Sequence, residues 1–396
     1  MTPRLLVIDS SIEMAHEIAR VARRAGYDAH ACTDYEDFSR RYDAETSVVV
    51  IDLMLTEPDG VEIIRALSGH RSPAGVILTS RFDPRVLGAA ERLARAQKLW
   101  VIGTLTKPFS DSVLENMLAN VEQTAVERTL KFKAFPKLED LRAGIERDEL
   151  RVYFQPKIHL HELRINSVEA LVRWQHPSLG LLSPDRFIEM SEEGGLINAV
   201  TSAVMEKSFA QCSDWLTGGL DLKVSINVST RSLTDLELPD KISALARRHN
   251  IRPEQVVLEI TESWLRNDHV AALDILTRLR IKGFDLSIDD YGTGYSTMQQ
   301  LQEFPFCELK LDRTFVSDAH RNPDSRAIVE SSIRLGHELK LRVVAEGIAT
   351  QTDWDLVSRL GCDEGQGFFI ARPMPGKDMP DWLDRWQATL GDGTRG

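Results

Sequence analysis

The sequence lacks any apolar run approaching the roughly 20 residues that a membrane-spanning helix needs. Its N-terminus, MTPRLLVIDSS, offers only four consecutive apolar residues before an acid, too few for the core of a secretory signal. The expectation is a cytoplasmic protein with no membrane partner. Cysteine is scarce and scattered: Cys32, Cys212, Cys307 and Cys362 form no close pair, which fits neither a disulfide framework nor a cysteine zinc site. Basic charge is not in excess either. With 48 Lys and Arg against 60 Asp and Glu, net charge −12, the chain has no positive field to recruit DNA or an anionic bilayer, although a small phosphate ligand remains compatible. Low-complexity tracts are absent, and 42% hydrophobic with 27% charged residues is the balance of a folded globular protein. At 396 residues the chain exceeds one ordinary core, so two domains are expected.

From Arg4 to about Val126, short apolar runs (LLVI, SVVVI, GVIL, WVIGTL and a weaker DAHAC) alternate with helical patterns. Such alternation implies a parallel sheet with helices on both faces, whose ligands bind outside the carboxyl ends of the strands. Asp9, Asp52, Thr79 and Lys107 fall at four of those ends. Singly each has a bland reading as a helix cap, a turn opener or a solvated charge; together they predict a polar rim. The segment resembles the receiver domain of bacterial response regulators, through VVVIDLMLTEPDG, Thr79 and the lysine before proline in TLTKPF. The resemblance implies a phospho-acceptor at Asp52, supporting roles for Asp9, Thr79 and Lys107, Mg²⁺ in the site and a cognate histidine kinase. Two positions depart from the family: Ser10 stands where a second acid helps hold Mg²⁺, and Thr104 where an aromatic residue takes part in switching.

The stretch after this domain is charged and mostly helical in pattern, without the Gly and Ser of flexible joins. We therefore expect a receiver domain over 1–124, a helical connector over 125–137 and a second domain over 138–396. That last length suits a barrel of eight strands and helices. β-rich runs ending in a polar residue recur as NSVEALVRW, KVSINVS, QVVLEIT, FDLSIDD, CELKLD and RVVAEG, marking Glu169, Asn227, Glu259, Asp289, Lys310 and Glu346. Six such ends predict a carboxylate-rich face at the carboxyl end of a barrel, where that fold places its sites. Residues two apart on a strand share a face, so Glu169, Leu171 and Arg173 point together, as do Glu308, Lys310 and Asp312. Arg173 suits a phosphate oxygen; pairing with a nearby acid is the alternative.

Asp289 and Asp290 are adjacent carboxylates, which repel each other unless a counter-charge lies between them. With Glu169, Asn227, Glu259 and Glu346 they offer oxygen donors suited to Mg²⁺ or Mn²⁺, and a pair of such ions is the usual apparatus for attack on a phosphodiester. Lys310, a lone cation among acids, either orients water and stabilises the phosphoryl group or neutralises excess charge.

These strings, with YFQP at Tyr153 to Pro156, LEITES, IDDYGTGYS, LKLDRTFV, VVAEGI and DEGQGFFIARPMP, closely resemble the EAL family of cyclic di-GMP phosphodiesterases over about Leu138 to Met379. The resemblance implies a modified β/α barrel that hydrolyses cyclic di-GMP to linear pGpG with Mg²⁺ or Mn²⁺. It places metal ligands at Glu169, Asn227, Glu259, Asp289, Asp290 and Glu346, and the essential lysine at Lys310. It also places substrate contacts at Gln155, Leu171, Arg173 and Gln366, and a loop anchor at Glu262, with Tyr291 in place of the commoner phenylalanine. A homodimer or higher homo-oligomer is implied as well. The competing reading is a catalytically inactive cyclic di-GMP receptor, disfavoured because the whole carboxylate set is present. A DNA-binding regulator lacks a helix-turn-helix segment, and no appended cyclase-like domain is expected.

Overall fold

The computed structural model describes residues 2–391 except 33, 44, 70, 71, 73, 82, 83, 98, 120, 122–135, 263–268 and 293–297. The chain divides into two compact units, Met1–Phe135 and Pro136–Gly396. Up to residue 135, the expected helical connector lies outside the described residues.

In the first unit the five expected runs form β1 (Arg4–Ile8), β2 (Asp28–Cys32), β3 (Thr46–Asp52), β4 (Gly75–Ser80) and β5 (Trp100–Thr106). They make a parallel sheet in the flavodoxin-like order β2-β1-β3-β4-β5. Successive side chains feed two separate cores: Leu6, Ile8, Val49, Ile51, Val76 and Leu78 on one face, Leu5, Val7, Val48, Val50 and Ile77 on the other. Burial on both faces explains why these strands read as continuous apolar runs. Helices cover both faces. The first, Ile12–Arg24, is capped by the Ser11 side chain, which accepts from Met14 N, and it buries Ala15, Ile18, Ala19 and Ala22 at helical spacing. The order reverses between β1 and β3, the crevice where such sheets bind ligands.

The second unit is a closed barrel. Its strands are β6 (Leu150–His159), β7 (Ile165–His176), β8 (Gly180–Leu182), β9 (Lys223–Asn227), β10 (Val256–Thr261), β11 (Asp285–Tyr291), β12 (Glu308–Leu311), β13 (Arg342–Ala345), β14 (Glu364–Gly365) and β15 (Met374–Pro375). The ring runs β6-β14-β13-β12-β11-β10-β9-β7 and closes by β6 pairing with β7, while β8 and β15 are short additions to β7 and β6. Strand β6 is antiparallel to both of its ring neighbours, and the remaining ring pairs are parallel. This is the TIM-like architecture with one strand reversed.

The strands bury one apolar face outward, under the helices: Val168, Val224, Ile226, Leu258, Ile260, Leu286, Ile288, Leu309, Val343 and Ala345 all belong to one continuous core. The alternate residues point into the barrel, and most of them are polar. They stack in two tiers. Nearer the amino ends lie Lys157, Ser167, Ser225, Ser287, Glu308 and Glu364; two residues further along the same strands lie Gln155 (two earlier on the reversed β6), Glu169, Asn227, Asp289, Lys310 and Gln366. The interior of this barrel is thus polar where branched apolar residues usually fill it.

Candidate active site

The upper tier is organised around Lys310, which is wholly buried. Its Nζ lies 2.6 Å from Glu346 Oε1, 2.7 Å from Glu259 Oε2, 3.1 Å from Asp289 Oδ1 and 3.6 Å from Glu169 Oε2. Asn227 Nδ2 donates to Glu169 Oε1 at 2.9 Å and approaches Glu259 Oε2 at 3.5 Å. That orientation leaves the Asn227 carbonyl oxygen for a cation. All six residues marked at strand ends in the sequence therefore meet in one cluster.

Asp290 reaches the cluster by a route that alternation along a strand does not predict. Neighbouring residues in a strand point to opposite faces. Here the register of β11 against β12 slips between Ile288 and Tyr291, and Asp290 takes the left-handed conformation, φ 56°, which Asp tolerates better than most residues. The bulge turns the second aspartate back toward the first. Oxygen atoms of Asp289, Asp290 and Glu346 all lie within 4.8 Å of one another.

The electrostatics are those of a site with too little positive charge. Five carboxylates face one ammonium, leaving four negative charges if all are ionised. Burial pushes Glu259 up to about 8 and Asp290 up to about 6, the latter reinforced by Asp289 and Asp312. Glu346 is likewise held well above the usual carboxylate range by burial, despite Lys310 beside it. Burial also opposes the charge on Lys310, but the surrounding acids keep it firmly protonated. Two buried oxygens here, Glu259 Oε1 and Gln366 Oε1, accept no hydrogen bond. Oxygen donors, surplus negative charge and unbonded buried acceptors together fit hard divalent cations.

Gln155 and Gln366 sit behind Glu169. Gln366 Nε2 donates to Glu169 Oε2 at 2.7 Å and to Gln155 Oε1 at 2.9 Å, while Gln155 Nε2 donates to the Ala371 carbonyl at 2.8 Å. Leu171 and Asn227 line a cavity of about 330 Å³ with Ile188, Val200 and Val204. Further along β7, the half-buried Arg173 guanidinium lies 5.8 Å from the centre of the Tyr153 ring. Glu262 is buried, and its Oε2 accepts the Gly292 N–H at 2.9 Å. The anchor expected from sequence therefore touches the glycine turn, although residues 293–297 of that loop lie outside the described residues.

Sequence reading put Glu308 on the face of Lys310 but missed the rest of the lower tier. Lys157 Nζ donates to Ser225 Oγ at 2.6 Å and Glu308 Oε1 at 3.1 Å, and it lies 3.6 Å from Glu259 Oε1. Arg342 closes the set on Glu308 Oε2 at 2.8 Å and Glu364 Oε1 at 3.5 Å. Two cations face two acids, so this tier is self-neutral. The signal was available: most of these residues stand two positions from an upper-tier residue.

In the first unit, Lys107 Nζ bridges Asp9 Oδ2 at 2.6 Å and Asp52 Oδ2 at 3.0 Å, all three buried. Ser10 Oγ donates to Asp52 Oδ2 at 2.8 Å and Met54 N to Oδ1 at 3.1 Å. Burial alone would raise Asp52, yet these donors and Lys107 hold it below its ordinary value; Asp9 is raised by burial. Thr79 Oγ1 donates to the Ile51 carbonyl at 3.4 Å. The four predicted rim residues thus surround the β1/β3 crevice.

The fold and the site together are a closed, TIM-like barrel with a cluster of oxygen donors suited to a hard cation at the carboxyl ends of its strands. Residues 138–373 match the EAL domain family, and the chain belongs to that family. It is 32% identical to the cyclic di-GMP phosphodiesterase RocR of Pseudomonas aeruginosa over 337 residues, 85% of this chain and 86% of RocR. It is 38% identical over 243 residues to the bifunctional diguanylate cyclase/cyclic di-GMP phosphodiesterase MucR of the same organism, covering 61% of this chain but only 36% of MucR. The chain therefore spans little more than a third of MucR and most of RocR. A solved MucR phosphodiesterase in complex with cyclic di-GMP superposes with TM-score 0.59 and 38% identity over 61% of this chain and 98% of that one. Among the described residues no helix is long and apolar enough to cross a membrane.

Proposed function

We propose that the barrel hydrolyses cyclic di-GMP to linear pGpG with the help of two Mg²⁺ or Mn²⁺ ions. The observation that carries this reading is the crowding of five carboxylates around one ammonium, Lys310: fully ionised they would leave four negative charges, the number that two divalent cations offset. Glu169, Asn227, Glu259, Asp289, Asp290 and Glu346 would hold the ions. When bound, such ions make water a better nucleophile and offset charge developing on the phosphoryl oxygens.

The chain's own residues do the rest. Lys310 fixes the spacing of four carboxylates and places a fixed positive charge and hydrogen-bond donor among them. Gln366, tied to Gln155, holds Glu169 in a single orientation and limits its freedom to follow the substrate. Arg173 offers a forked pair of N–H donors to a phosphate oxygen, and Leu171 adds an apolar wall beside the site. Glu262, through the Gly292 N–H, steadies the turn that carries Asp290.

We read residues 1–124, within the first unit, as a receiver controlling the barrel of 138–396, with Asp52 as the phospho-acceptor, served by a histidine kinase, and Mg²⁺ held beside Asp9. Its strand order and the Asp9–Lys107–Asp52 bridge support this. So does the extent of the RocR alignment, which spans more residues than the second unit contains. A homodimer or higher homo-oligomer, acting in the cytoplasm, is part of the same reading.

The test is incubation of the purified chain with cyclic di-GMP and Mg²⁺, followed by chromatography of the nucleotides. Conversion to pGpG is expected; tight binding with no product would make the protein a receptor instead.

A further inference from the structure

Below the cluster, Lys157 occupies a position that no role above accounts for. It is fully buried inside the barrel, on the reversed strand β6. The Glu259 carboxylate stands between two lysines. Its Oε2 lies 2.7 Å from Lys310 Nζ, and its Oε1, which accepts no hydrogen bond, lies 3.6 Å from Lys157 Nζ. Lys157 is itself fixed from below by Ser225 Oγ and Glu308 Oε1. Glu308 is in turn gripped by the Arg342 guanidinium through two N–H groups, at 3.0 and 2.8 Å. The lower tier is therefore a charge-balanced, hydrogen-bonded set whose Lys157 ammonium also lies beside the Glu259 carboxylate of the upper tier.

We propose that Lys157 is a positioning residue for the metal site: by holding Oε1 of Glu259 toward the lower tier, it splits that carboxylate between the two lysines, so that Lys310 engages Oε2 alone and the carboxylate keeps an orientation from which it could bind a cation. Without it, both oxygens of Glu259 would turn onto Lys310, the nearest remaining cation, and the donor would be withdrawn from the metal site. The inference rests on the metal-site reading above. It also has a definite sign. If Lys157 acted only as one more positive charge near the site, removing it would tighten divalent-cation binding; as a positioning residue, its removal weakens binding.

The experiment counts Mn²⁺ binding to the full chain by calorimetry or electron paramagnetic resonance, without substrate. The chief variant is Lys157→Met/Glu308→Gln, which leaves Arg342 and Glu364 as a balanced pair and so avoids an orphaned buried charge. Mn²⁺ affinity should fall about tenfold to a hundredfold, the usual effect of losing a group that orients a metal ligand, with cooperative thermal unfolding retained. Ser225→Ala, a small change that removes one anchor of Lys157, should shift affinity the same way by a smaller factor and covers the case in which the double variant does not fold. Unchanged or tighter Mn²⁺ binding in the variants would overturn the role of Lys157 alone. No Mn²⁺ binding by the unaltered protein would overturn the metal site and this role together.

Discussion

At the scale of the residue, the cluster stores a conflict that pH and metal should both reveal. Glu259 and Asp290 are pushed up to about 8 and about 6 by burial, against roughly 4 for carboxyls in an unfolded chain. Between those values the folded protein binds more protons than the unfolded one, so its stability falls as pH rises. Chelator-treated protein should therefore lose melting temperature from about pH 5 to about pH 8, and Mn²⁺ should restore it most at the upper end. A flat profile in scanning fluorimetry would contradict this. Glu308 acts in another window: Lys157 and Arg342 overcome its burial and hold it at about 2 against an ordinary 4.5, so its contribution is present above that ordinary value and is lost as pH falls from there toward about 2. Asp289→Asn removes one of the crowded charges. It should raise the melting temperature of the metal-free protein while cutting turnover by about a thousandfold, the upper end for loss of one group that stabilises transition-state charge.

At the scale of the element, the residues that face the barrel interior were legible through alternation: in CELKLD the polar positions fall two apart with Leu309 and Leu311 packed outward, and in QVVLEIT Leu258 and Ile260 pack outward on either side of the inward Glu259. The same rule held the lower tier, but Lys157 and Glu308 carry no turn or motif to draw attention to them. Asp290 was legible by its adjacency to Asp289 and by resemblance, not by periodicity, since only the slipped register and a left-handed φ bring it beside Asp289. The reversal of β6 was equally hidden, because an interior strand reads the same in either direction. The glycine turn after Asp290 depends on Glu262. Gly292 has φ +98° and a Cβ there would meet the Phe315 ring at 3.0 Å, so the turn cannot be stiffened by a larger residue and relies on the Glu262 carboxylate for its anchor. Glu262→Ala should raise the Mg²⁺ concentration needed for half-maximal turnover several-fold, with Glu262→Gln milder because an acceptor oxygen remains. Unaltered Mg²⁺ dependence in the alanine variant would remove the anchoring role.

At the scale of the whole molecule, two α/β units with separate cores lie on one chain, and the account joins them as regulator and enzyme. The weak point of the proposed regulator is local. Ser10 gives Asp52 a hydroxyl donor where a second acid would give a cation another charge, so Mg²⁺ should bind weakly and labelling by acetyl phosphate should be slow unless Mg²⁺ is raised. Ser10→Asp should speed it; rapid, stoichiometric labelling of the unaltered protein at low Mg²⁺ would contradict this. With Thr104 in place of an aromatic switch residue, Asp52→Glu is expected to change turnover by only several-fold.

The central claim is that the charge deficit around Lys310 is met by two divalent cations and that the site is a hydrolase only then. The direct measurement is turnover of cyclic di-GMP by chelator-stripped protein as Mn²⁺ is titrated in, with bound Mn²⁺ counted at each point. The account predicts no pGpG without metal and activity rising to its plateau as two ions bind per barrel. Full turnover in the presence of chelator, or a plateau reached with no Mn²⁺ bound, would contradict it.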